Sequence, residues 1–120
     1  MSAQDNPFGG GYAVQYGGNA TAATGGDGGS FVKDTTTAGF AADVIQESRN
    51  QPVLVDFWAP WCGPCKQLAP ALEQAVREAG GRVKLVKMNI DDHPAIAGQL
   101  GIQSIPAVIA FRDGQPVDGF

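Results

Sequence analysis

The chain has 120 residues, enough for one domain with a modest core. Eight Lys and Arg against twelve Asp and Glu give a formal net charge of −4, which argues against a nucleic-acid partner. No apolar run approaches the roughly 20 residues that a membrane span needs, so no membrane role is expected.

Residues 1–30 hold nine of the seventeen glycines and neither Lys nor Arg. Without a basic start and an apolar block, no secretory signal is read there, and a reducing cytoplasm is the expected compartment. Phe8, Tyr12 and Tyr16 are scattered among small polar residues. Such a stretch buries too little apolar surface to offset the entropy of ordering it, so a disordered Gly-rich leader is expected. The sharper alternative is an arm whose aromatics dock on a partner.

A domain is expected over 31–120. Phe31 to Asp34 reads as a short strand, and Thr35 to Thr37 offer N-caps. Phe40, Ala41, Val44 and Ile45 recur at helical spacing within a helix from Ala38 to Arg49, which Asn50-Gln51-Pro52 ends. Val53 to Trp58 is an apolar, β-branched and aromatic run, the pattern of a strand covered on both faces. Asp56 interrupts it. A carboxylate there is costly unless it is hydrogen-bonded, protonated or turned to water at a sheet edge.

A second helix is expected from Cys62 to Ala79, with Leu68, Leu72, Ala75, Val76 and Ala79 as its apolar stripe. Pro70 inside it cannot donate to the Lys66 carbonyl, so a kink is expected. Gly80-Gly81 ends the helix, and Arg82 to Asn89 alternates as a strand. Asp91-Asp92-His93-Pro94 is a turn into a short helix carrying Ile96, Ala97 and Leu100 and closed by Gly101. Ala107 to Phe111 is another apolar strand, and Asp113-Gly114 predicts a hairpin whose returning strand begins at Pro116. The expected fold class is α/β, a central mixed sheet flanked by helices. A final strand and helix are expected to be cut short, as in a fragment of a longer protein.

The chemistry concentrates in Trp61-Cys62-Gly63-Pro64-Cys65-Lys66, which holds both cysteines at the junction of a buried strand and a helix start. A thiol becomes nucleophilic as its thiolate, and unpaired N–H groups at a helix N-terminus favour that anion. Disulfide exchange needs an exposed attacker, here Cys62, and a second thiol one turn away, here Cys65. A zinc site is the first alternative, but two Cys and the lone His93 fall short of four convergent ligands. His93 reads instead as a solvent-facing turn residue. A structural disulfide closing so short a loop would constrain little of the unfolded chain. Two inert thiols would leave Trp61 and Gly63-Pro64 unexplained.

From Phe31 to Phe120 the sequence resembles the thioredoxin family. The likeness is carried by Val55-Asp-Phe-Trp-Ala59, Trp61-Cys-Gly-Pro-Cys-Lys66, Pro70, Lys87-Met-Asn-Ile-Asp91, Gly101-Ile-Gln-Ser-Ile-Pro106 and Asp113-Gly114. The resemblance implies a thioredoxin fold and a protein-disulfide reductase. It implies that Cys62 attacks, Cys65 resolves, Asp56 moves a proton to or from Cys65, and Lys87 is its charged neighbour. Pro106 corresponds to a cis-proline, with Ile105 offering backbone groups to an extended substrate. Trp61, Gly63, Pro64 and the Gly101 region correspond to the docking surface. The implied partners are disulfide-containing proteins and a thioredoxin reductase that passes on electrons from NADPH, with no bound cofactor or metal and a monomeric domain. The long leader and the early stop depart from a plain member of the family. They favour, as the rival reading, a client-binding module of a larger co-chaperone that works beside a chaperone.

Overall fold

The computed structural model describes residues 31–120, so the expected leader over 1–30 lies outside the described residues. The fold is built on β2 (Val53–Trp58), which has the bounds that its apolar run predicts. β2 lies parallel to β3 (Lys84–Asn89) and antiparallel to β4 (Ala107–Arg112). β1 (Val32–Asp34) adds parallel to β3 and β5 (Gln115–Gly119) antiparallel to β4, so the sheet runs β1-β3-β2-β4-β5. This is a mixed α/β sheet, and its parallel β2–β3 pair is joined by a helical crossover.

Successive strand residues point to opposite faces. Val53, Val55 and Phe57 join Val86, Met88 and Phe111 on one face, where Phe40, Val44 and Ala97 cover them. The Phe40 and Phe111 rings meet edge to face with centroids 5.7 Å apart. The other face carries Leu54, Asp56 and Trp58 and lies under α1 (Gly63–Glu78), which runs on through Pro70. A short α2 (Pro94–Gln99) follows β3, with Gly101 beyond it at φ +72°.

Three readings are corrected by these contacts. The expected helix over 38–49 is helical but not uniformly α: Ala41–Gln46 has π winding and Glu47–Arg49 is a 3-10 turn. Apolar spacing identifies the inward residues, Phe40 and Val44, but does not separate i+4 from i+5 hydrogen bonding. The end of this segment is also held from outside, because the Asp113 N–H donates to the Ser48 carbonyl at 2.8 Å. In α1, Ala75 is exposed and only Val76 of the expected stripe is fully buried, with Leu68, Leu72 and Ala79 half-buried. His93 is half-buried rather than solvent-facing: its Nδ1 accepts the Thr37 N–H at 3.2 Å while it stands at the N-cap of α2.

The β4–β5 hairpin turns at Asp113 and Gly114, with φ of +55° and +79°. Left-handed backbone at both positions matches strand twist across a two-residue turn, which is why Asp-Gly predicts it. The returning strand, expected only to begin at Pro116, pairs with β4 from Gln115 to Gly119. Among the described residues no helix is long and apolar enough to cross a membrane.

Candidate active site

β2 delivers the chain to buried Ala59, whose carbonyl accepts the Cys62 N–H at 3.0 Å and turns the backbone toward α1. Cys62 is the N-cap of α1, with extended backbone (φ −89°, ψ 102°), and Pro64 sits in the first turn, where its missing N–H has no partner to lose. The Cys65 N–H points at Cys62 Sγ at 3.2 Å, so a sulfur takes the place of the usual capping oxygen. Cys62 and Cys65 form a disulfide with Cα atoms 5.3 Å apart. A thiolate formed at Cys62 would receive that N–H together with the positive end of the helix.

The pair packs with Ala59 against Trp58, Ile90 and Ile105. Its two halves differ little in exposure, 4% for Cys62 and 2% for Cys65, so the expected outward attacker is not visible while the bond is closed. Both cysteines are buried among these apolar neighbours. Beside the disulfide Trp61, Ile90, Ile102, Gln103, Ser104 and Ile105 line a cavity of about 310 Å³. Trp61 is 66% exposed, and its indole N–H donates to Asp91 Oδ1 at 3.0 Å. The Ile105–Pro106 peptide is cis.

Asp56 is 1% exposed, and its Oδ1 makes no hydrogen bond among the described residues. Burial pushes its carboxyl above the ordinary value of 3.8; the Lys87 charge opposes that rise and Glu73 adds to it. Asp56 and Lys87 are register partners on β2 and β3. The Lys87 ammonium, however, pairs with Glu73 Oε2 of α1 at 3.0 Å and lies 5.8 Å from the Trp58 ring centroid.

Comparison with known proteins agrees with this arrangement. The thioredoxin family profile matches residues 31–120. The chain belongs to the thioredoxin family. It is 49% identical to thioredoxin 1 of Synechococcus elongatus over 89 residues, 74% of this chain and 81% of that protein. Over 86 residues it is 49% identical to the thioredoxin of Streptomyces clavuligerus, covering 72% and 78% of the two chains. The thioredoxin of Rickettsia felis is 45% identical over 88 residues, 73% of this chain and 82% of that one. The domain is therefore a thioredoxin-type thiol–disulfide oxidoreductase with Cys62–Cys65 as its redox-active disulfide.

Of the thioredoxin-family positions read from the sequence, Trp61 and Ile105 meet in one cavity beside the disulfide. Gly63 and Pro64 are exposed at the start of α1, Pro106 is half-buried, and Gly101 is exposed without lining the cavity. The reading missed Glu73, Asp91 as a partner of Trp61, and the polar rim Gln103 and Ser104. Glu73 does carry a local signal: it adjoins Leu72 at the edge of the apolar stripe and stands four residues before Arg77, which it pairs at 3.5 Å.

Proposed function

We propose that the domain, residues 31–120, reduces disulfides in protein substrates through its Cys-Gly-Pro-Cys dithiol. The observation that carries this reading is the Cys62–Cys65 disulfide capping α1 beside an apolar, open cavity. In the reduced state the Cys62 thiolate attacks one sulfur of a substrate disulfide. That S–S bond breaks, and the substrate thiolate released takes up a proton. Asp56 accepts the Cys65 proton, and the Cys65 thiolate attacks Cys62 Sγ. The mixed disulfide breaks, the second substrate sulfur leaves as a thiolate that takes up a proton, and the Cys62–Cys65 bond closes. Two electrons pass from the dithiol to the substrate.

The other residues serve this exchange. Lys87 moderates the charge of Asp56. Trp61, Gly63, Pro64, Ile105 and Pro106 receive an extended substrate segment, whose apolar side chains suit a cavity floored by Ile90, Ile102 and Ile105. A reductase drawing on NADPH restores the dithiol in the cytoplasm, and the domain acts as a monomer.

The test is insulin reduction with dithiothreitol, followed as precipitation of the freed insulin chains. The native chain should accelerate it, and Cys62→Ser should fall to the uncatalysed rate. Equal rates for the two would overturn the reading.

A further inference from the structure

Glu73 has no role in the exchange just described, yet it holds Lys87, the cation that faces Asp56 from the adjacent strand. Lys87 is the register partner of Asp56, so both side chains leave the same face of adjacent strands. The ammonium nevertheless sits against Glu73 at 3.0 Å and near the Trp58 ring, and Asp56 Oδ1 has no hydrogen-bond partner among the described residues. Glu73 is in turn fixed from behind by Arg77 at 3.5 Å. Lys87 and Glu73 are each only 22% exposed, so water screens this pair less than one on the open surface.

We propose that Glu73 is a positioning residue for proton transfer at Asp56: it holds the Lys87 ammonium at the edge of the site and keeps that charge from closing on the buried carboxyl. Two carboxylates compete for one ammonium. When Glu73 holds it, Lys87 offsets only part of the cost of burying Asp56, which keeps its proton more tightly; were Lys87 to close on Asp56, the carboxylate would be stabilised and become a poorer base. The charged groups facing Asp56 are Lys87 from β3 and Glu73 from α1, with Arg77 behind Glu73. From β4 its register partner is the apolar Val108. Burial, Lys87 and Glu73 act on the Asp56 carboxyl in the directions this arrangement requires.

The inference rests on the proposed role of Asp56, and its test separates the two. The Asp56 carboxyl is titrated by NMR in the oxidised full chain, for the native protein, Glu73→Gln, Lys87→Met and the double variant. Glu73→Gln should lower the midpoint by about one pH unit, as a freed ammonium within a few ångströms does. The acid limb of the turnover pH profile should move the same way, and Glu73→Asp, which keeps the charge, should recover most of the native midpoint. In the Lys87→Met background, Glu73→Gln should move the midpoint less than half as far. An unchanged midpoint in Glu73→Gln overturns the proposal. So does an equal shift with Lys87 removed, which would make Glu73 a neighbouring charge and nothing more. Full turnover by Asp56→Asn would instead defeat the Asp56 role, while the titrations still report on Glu73.

Discussion

The Trp61 indole donates to Asp91 Oδ1 at 3.0 Å, tying the residue before Cys62 to the turn that follows β3. Trp61 is largely exposed, so packing alone does little to fix its ring over the cavity. Asp91→Ala should lower kcat/KM for protein disulfides roughly fivefold, the loss of about 1 kcal/mol for an exposed hydrogen bond to a carboxylate. The melting temperature should barely move. Steady-state kinetics and Trp61 fluorescence anisotropy check this, and an unchanged kcat/KM would show that the tether does not orient the ring.

Cys65→Ser should trap the exchange half-way. Cys62 can still attack, but no second thiol follows, so a mixed disulfide between Cys62 and a substrate should accumulate. Mass spectrometry under non-reducing conditions reads the adduct, which dithiothreitol should release.

Asp56 burdens the folded state at neutral pH. Its folded-state proton affinity is raised by burial, so the fold holds the protonated carboxyl at less cost than the ionised one. Below the ordinary value of 3.8 the group is protonated folded or unfolded and costs nothing in charge. As pH rises from there through the folded-state value, stability is lost, about 1.4 kcal/mol for each unit between the two values. Asp56→Asn should therefore be more stable than the native chain at pH 8, with the advantage shrinking toward pH 4. Urea denaturation of the oxidised protein across that range measures the difference, and a pH-independent gap would contradict it.

Ser48 joins the first helical segment to the β4–β5 hairpin. Its fully buried hydroxyl donates to the Ile45 carbonyl and accepts the Gly114 N–H, both at 2.8 Å. Ser48→Ala leaves that N–H without its partner and should cost about 1–3 kcal/mol. For a domain of this size the melting temperature should fall by roughly 5–15 °C. Disulfide reduction at 25 °C should be unaffected.

Much of the sheet was legible because its strands are short apolar runs bounded by Pro, Gly and Asp. Val53–Trp58 is the clearest case, since burial on both faces leaves a continuous signature. The Asp113-Gly114 turn was legible for a backbone reason, the left-handed φ at both positions. Less could be read where partners are distant in sequence. Glu73 meets Lys87 across 14 residues, Trp61 meets Asp91 across 30, and Thr37 meets His93 across 56. No local pattern encodes such pairs. His93 lacked convergent metal ligands and so looked solvent-facing, whereas its ring nitrogen serves a backbone N–H of another segment. The π winding of Ala41–Gln46 was hidden for a different reason: apolar spacing marks Phe40 and Val44 as inward without fixing the hydrogen-bond step, and Ala41, expected on the same side, is exposed.

Cys62 Sγ is at once one of the two redox-active sulfurs and the acceptor that caps α1. Electron storage and secondary structure thus share one atom. Each time that sulfur changes bonding partner, the Cys65 amide faces a different acceptor. The amide's chemical shift and its exchange with solvent deuterium should then follow the redox state of the domain, giving it a built-in gauge on its own backbone.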